Sequence, residues 1–272
     1  MQSVTVRPSP RHVAKRLSYL VDDVVPHQTG TVVLAYHRVG QRTDSPVDLR
    51  TEAFRRQMAH LRATSGVTAL DELVERPVSL DRAESVVITF DDGTADFVDE
   101  VLPVLDHYQL QATLYLATGP VDSRERYPAN GEPITWAGLR EVVSTGLVDI
   151  GAHTHTHRLL DRCTPAEAAE ELDRSNERIA EELGVVPRHF AYPKALLAAA
   201  DVEPEVRSRY ATAAIAGTRP NTSETPLHRL RRSPIQVADG WEGFRRKLSG
   251  GMRTEDDIRR IVNRARYRSK ST

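Results

Sequence analysis

A chain of 272 residues with 37 Lys/Arg against 38 Asp/Glu can bury a substantial core and has no charge excess that calls for a nucleic-acid partner. Its single cysteine, Cys163, excludes an intrachain disulfide and a Cys-rich zinc site, so any metal must be held by His, Asp or Glu. No run is long and apolar enough to span a membrane, and the N-terminal stretch lacks the apolar core of a secretory signal; cytoplasmic is the default expectation.

In chain order, residues 1–30 are expected as a polar lead-in with one helix. TVVLAY (31–36) reads as a buried strand. TEAFRRQMAHLRATSG (51–66) reads as a helix, with Phe54, Met58 and Leu61 at i, i+4 and i+7 and Gly66 as its stop. SVVITF (85–90), ATLYLA (112–117) and VDIG (148–151) are further strands. TPAEAAEELDRSNERIAEELG (164–184) has every mark of a helix: Thr164 and Glu167 as a capping box, Pro165 at the first position, Gly184 at the end, and Ala168, Leu172, Ile179 and Leu183 as the inner stripe. HFAY (189–192) and TAAI (212–215) are strands, and RLRRSPIQV (229–237) is a candidate for another. Strand–helix alternation of this kind implies parallel strands with helical crossovers, in one barrel or one open sheet. The predicted organisation is one domain over 31–240 and, with ten Lys/Arg against four Asp/Glu, a basic tail over 241–272. That tail reads first as a solvated segment and second as open to weak contact with an anionic membrane surface. Oligomeric state is not written in the pattern.

Two strand ends carry the chemistry. SVVITFDDG ends in Asp91, Asp92 and Gly93, and VDIGAHTHTH ends in His153, His155 and His157. Asp-Gly is ordinary turn chemistry, and adjacent strand residues point to opposite sides, so the two aspartates are expected to differ in role. The histidines admit two readings. An extended segment puts all three on one face; a wound one groups His153 with His157 and leaves His155 elsewhere. Two His and one carboxylate with an open position is a catalytic zinc arrangement, and a parallel sheet or barrel would bring both strand ends to one face.

Taken together, TFDDG (89–93), HTHTH (153–157) and RHFAYP (188–193), with VLAYHRVG (33–40) ahead of them and the helix-and-strand segments 97–119 and 134–157 between, resemble the polysaccharide deacetylase family, carbohydrate esterase family four. The resemblance spans roughly residues 31–237 and implies a distorted (β/α) barrel with about seven strands, in preference to an open sheet. It implies hydrolysis of acetyl groups on sugars, most often N-acetylglucosamine units, with one divalent metal: zinc first, with cobalt or nickel also compatible. By the same resemblance Asp92, His153 and His157 hold the metal and Asp91 is the general base. The backbone N–H of Lys194, the residue after Pro193, is the implied oxyanion donor. Tyr192, Pro193, Lys194 and His37 are expected around the substrate.

Three departures from the family pattern matter. Lys194-Ala195 follows Pro193 where Tyr-Gly is frequent. Ala191 stands where many relatives carry the arginine that holds the catalytic aspartate, and Arg232 is the candidate substitute. No clean copy of the Leu-x-His motif that supplies the acid is present; either His228 donates the proton or Asp91 returns the one it took. Outside these motifs, Trp136 is expected in the core or at a helix start rather than on a sugar, and Cys163 is expected to be inert. The alternatives to a metal-dependent sugar N-deacetylase are a catalytically silent glycan-binding relative and a metal hydrolase acting on a non-sugar amide.

Overall fold

The computed structural model describes residues 29–83 and 85–258. In chain order, β1 (Val32–Tyr36) is followed by the short parallel pair β2 (Arg38–Val39) and β3 (Asp48–Leu49), then β4 (Gly66–Val67) and β5 (Ser85–Phe90). β6 (Ala112–Leu116), β7 (Val148–Ala152), β8 (His189–Ala191), β9 (Thr212–Ala216) and β10 (Leu230–Pro234) complete the set. All pairings in the main sheet are parallel, in the order β1-β10-β9-β8-β7-β6-β5, and β5 pairs back onto β1 from Val32↔Val86 to Tyr36↔Phe90. The seven strands therefore close into a barrel, as expected. β4 adds to the start of β5, on the edge that β6 occupies further along.

The α-helices outside the strands include α1 (Thr51–Thr64), α2 (Leu70–Glu75), α3 (Leu102–Tyr108), α4 (Thr118–Ser123), α5 (Trp136–Ser144), α6 (Pro165–Leu183), α7 (Glu203–Arg209) and α8 (Gly240–Leu248). The predicted stripe of α1 is fully buried at Phe54, Met58 and Leu61. Each such burial stabilises by about 1.5–3 kcal/mol relative to exposure. Phe54 meets Tyr36 and Phe90 at ring distances of 5.4 and 5.8 Å, joining α1 to the outer face of β1 and β5. α6 begins with the predicted capping box, the Thr164 hydroxyl accepting from the Glu167 N–H and the Glu167 carboxylate from the Thr164 N–H. It ends at Gly184, whose φ of 68° suits a residue without Cβ.

Strand alternation divides the apolar residues into two clusters. Val32, Leu34, Tyr36, Val86, Ile88, Phe90 and Leu114 face the helices. Val33, Val87, Tyr115, Ala191, Ala214 and Leu230 fill the barrel, with Leu70, Leu73 and Leu80 closing the end where the strands begin. The other end, beyond the strand C-termini, is where ionisable side chains collect.

One expectation fails here. The basic tail does not start as a solvated segment at 241, because α8 packs on the barrel with Phe244 and Lys247 fully buried. The Lys247 ammonium is held by both Asp239 carboxylate oxygens at 2.9 Å and by the Pro234 carbonyl at 2.7 Å. A Lys/Arg count cannot separate a buried paired lysine from a solvated one. The lead-in helix expected within 1–28 and the tail beyond 258 lie outside the described residues. Among the described residues no helix is long and apolar enough to cross a membrane.

Candidate metal and catalytic site

Asp91 and Asp92 leave β5 in a tight turn. Asp92 takes φ 74° and Gly93 φ 90°; a Cβ at position 93 would sit 2.4 Å from Leu116 Cδ1. Only glycine tolerates both demands, which is why the pair of acids is followed by Gly. The turn sends the two carboxylates apart, as expected for adjacent strand-end residues. Tyr127 fixes it from behind, its hydroxyl donating to the Asp92 carbonyl at 2.6 Å.

Asp91 turns toward Arg232 on β10. The guanidinium makes two buried hydrogen bonds to the carboxylate, the Nη2–Oδ2 one at 2.8 Å, and a third to Thr89 Oγ1 at 3.2 Å. Its carbon lies 4.9 Å from the Tyr115 ring centre, so the cation also rests on an aromatic face inside the barrel. Burial alone would raise the Asp91 carboxyl; Arg232, with His153 and His37 adding, reverses this and holds it below the ordinary carboxylate range. The neighbouring arginines do other work. Arg229 pairs with Glu203, and Arg231 donates to the Pro220 carbonyl.

Asp92 turns toward the histidines. Ligand atoms of Asp92, His153 and His157 all lie within 4.8 Å of one another, the group among the described residues that could hold a metal. Asp92 Oδ1 is 3.7 Å from His153 Nε2 and 3.4 Å from His157 Nε2. The donor set fits a divalent ion on an internal observation. His153 Nδ1 lies 2.7 Å from the Ala191 carbonyl, which can only accept. The proton is therefore on Nδ1, and the Nε2 lone pair faces Asp92, the orientation an imidazole ligand needs. Burial drives His153 down to about 4, so the ring is neutral at neutral pH.

The wound reading of HTHTH is the one the backbone adopts. Thr154 and His157 take φ 62° and 60°, which coils the segment and brings the outer histidines to within 5.0 Å between ring centres. His155 points away and its Nδ1 meets Thr118 Oγ1 at 2.8 Å. Its carbonyl accepts from the Gly119 N–H at 2.7 Å, and the Thr156 N–H and hydroxyl donate to Glu171. α4 and α6 thus hold the coil from both sides. His155→Ala is expected to cost metal affinity no more than the ~10–100-fold typical of outer supporting residues, and His153→Ala or His157→Ala more. Titration of the three variants with one metal checks that ranking.

These groups share a cavity of about 190 Å³ with His37, Lys194, Ala195 and Gln236. His37 Nε2 lies 3.8 Å from Asp91 Oδ2. Lys194 and Ala195 take φ 55° and 56°, curling the chain after β8 round the mouth. Three predicted residues are placed elsewhere. Tyr192 is 1% exposed and packs outward against Phe190, and burial pushes its hydroxyl up to about 12. Pro193 is buried in the turn and does not line the cavity. His228 precedes β10 and bonds the Tyr210 carbonyl that precedes β9, so it sits at the opposite end of the barrel from Asp91. Gln236 was missed; its only signal is its place just beyond a strand end. Trp136 begins α5, as expected, and donates to Asp122; Cys163 is buried, and burial raises its thiol.

Residues 80–208 match the family model for polysaccharide deacetylase. The similarity to the polysaccharide deacetylase family thus covers a little under half of the chain. The poly-beta-1,6-N-acetyl-D-glucosamine N-deacetylase of Escherichia coli strain K12 is 30% identical over 157 residues, covering 51% of this chain and 22% of that protein. The chain spans 22% to 41% of the length of such curated relatives. Among solved structures, the Streptococcus pyogenes deacetylase PplD in complex with acetate superposes with a TM-score of 0.70 at 20% identity, covering 81% of this chain and 99% of that one. IcaB from Ammonifex degensii gives 0.68 at 22% identity over 82% and 100%. At such identities the two structures establish the polysaccharide deacetylase fold and no more.

Proposed function

We propose that this protein is a metal-dependent hydrolase that removes acetyl groups from N-acetylated sugar units of a poly- or oligosaccharide. The observation that carries this reading is the meeting, in one cavity, of an ionised Asp91 clamped by Arg232 with a separate Asp92–His153–His157 group. A glycan binder without chemistry has no use for an ionised carboxylate that stands beside the metal group and outside it. The relatives named as poly-beta-1,6-N-acetyl-D-glucosamine N-deacetylases supply the substrate class.

Asp92, His153 and His157 would hold the ion, and their nitrogen and oxygen donors suit zinc, with cobalt and nickel compatible. A divalent ion bound there would supply Lewis-acid polarisation and lower the pKa of its water toward about 7. Asp91 takes the proton of the attacking water. Arg232 keeps that carboxylate ionised and aimed, and the backbone N–H of Lys194 is the donor toward the developing oxyanion. His37 gives the leaving amine its proton. It replaces His228, which faces the wrong end of the barrel, and its Nε2, 3.8 Å from Asp91 Oδ2, is placed to be reprotonated by the proton that Asp91 removes from water.

Acetate release from N-acetylglucosamine oligomers by metal-loaded protein, abolished by chelator, is the direct test. No release from any acetylated sugar despite bound metal sinks the proposal. His37→Gln is expected to lower turnover by about 10²-fold, the scale of one general acid, with metal content unchanged. Unaltered turnover would return the acid's role to Asp91.

A further inference from the structure

At about 190 Å³ the catalytic cavity falls below the roughly 300–1,000 Å³ of sites that enclose a drug-sized ligand. An oligosaccharide must continue beyond it. Gln236 lines the catalytic cavity and also a second one of about 320 Å³, between α1 and the entry to α8. Trp241 and Val237 give this neighbour an apolar side, and Val237 is one of three large apolar side chains left exposed among the described residues.

Its polar side is cationic. Arg50 and Arg56 line it, and no Asp or Glu does. Arg56 lies on the Trp241 ring, its guanidinium carbon 4.1 Å from the ring centre, with no carboxylate partner among the described residues. Arg50 is held through Nε, which donates to Gln41 Oε1 at 2.6 Å, leaving both Nη groups without a carboxylate partner among the described residues. Both guanidiniums are thus oriented by neutral neighbours rather than consumed by acids. Lys194 adds a third cation at the catalytic end of the same groove. A guanidinium fork pairs in bidentate fashion with carboxylate or phosphate, and an apolar wall beside it suits the C–H face of a sugar ring.

We infer that this second cavity is a subsite for an anionic sugar unit, bearing a carboxylate or a phosphate ester, next to the N-acetylated unit in the catalytic cavity. The inference rests on the deacetylase reading for what the first cavity holds. It makes an acidic glycan, rather than a neutral polymer of N-acetylglucosamine alone, the preferred substrate.

The test uses the metal-loaded Asp91→Asn chain, so that acetyl groups stay in place. Calorimetric titrations compare three tetrasaccharides: neutral N-acetylglucosamine, alternating N-acetylglucosamine and glucuronic acid, and N-acetylglucosamine carrying 6-phosphates. At least one acidic ligand is expected to bind about tenfold more tightly than the neutral one at low salt, with the gap shrinking as ionic strength rises. The two acidic arms separate carboxylate from phosphate. In the Arg50→Gln/Arg56→Gln background the acidic-to-neutral ratio should fall toward one. Equal binding of all three, or a preference that survives the double substitution, overturns the subsite. Acetate release by the unsubstituted chain is scored separately. Release from the neutral tetramer without an arginine-dependent preference overturns the subsite alone. An arginine-dependent preference without release from any ligand overturns the deacetylase reading alone.

Discussion

Asp91→Asn is expected to lower acetate release by about 10²–10⁴-fold, the range for loss of one general base, while the chain still binds one metal ion. The two halves of that expectation come from different atoms. Asp91 spends both carboxylate oxygens on Arg232, outside the cluster of Asp92, His153 and His157, so removing its charge leaves the ligand set intact. Asparagine matches its shape and can still accept from the guanidinium, but it cannot take a proton from water. Metal content measured beside single-turnover acetate release separates the outcomes. Retention of more than a tenth of the activity would show that the base is elsewhere; loss of metal together with activity would place Asp91 among the ligands. Asp92→Asn should give the complementary result, in which activity and metal are lost together.

Much of the architecture is legible because several of these strands are short, largely apolar and mostly buried runs that stop abruptly at ionisable residues. VVITF ending in Asp91-Asp92 and VDIGA ending in His153 announce both a strand and its chemical end. A parallel closed sheet places all such ends on one rim, so Asp91, Asp92, His153, His157 and Arg232 could be grouped before any contact was known. What fails is parity and direction. Ala191 faces into the barrel, so Tyr192 must face out, and a motif match carries no information about that alternation. His228 is only four residues from Arg232, but it lies in the turn before β10 and bonds the Tyr210 carbonyl, whereas Arg232 sits mid-strand with its guanidinium inside the barrel. The second cavity was invisible for a different reason: it joins α1 to a segment almost two hundred residues later, and no local pattern reports such a meeting. Lys247 was misread as part of a solvated tail because its partner, Asp239, lies across the start of α8.

Arg232→Met is expected to cost stability heavily, by about 3–5 kcal/mol, because it strands a buried carboxylate. Arg232 and Asp91 are 2% and 5% exposed, and water cannot replace the guanidinium that Asp91 loses. Methionine keeps most of the apolar volume over Tyr115, so the loss should be electrostatic rather than a cavity effect. The pH dependence decides between those causes. In the native protein the Asp91 pKa is below its unfolded value, so the stabilisation is fully present above the ordinary carboxylate pKa of about 3.9 and is lost as pH falls through the folded value. In the variant burial acts on Asp91 without Arg232, protonation relieves the stranded charge, and the gap to the native protein should narrow toward pH 4. Asp91→Asn/Arg232→Met should recover most of the loss, since neither buried group is then charged. Urea unfolding of the four proteins of this cycle at pH 7 and pH 4 measures both effects. A gap that is the same at both pH values, with no recovery in the double variant, would mean that Arg232 supports the barrel by packing. The ionised state of Asp91, on which its role as base depends, would then need another origin.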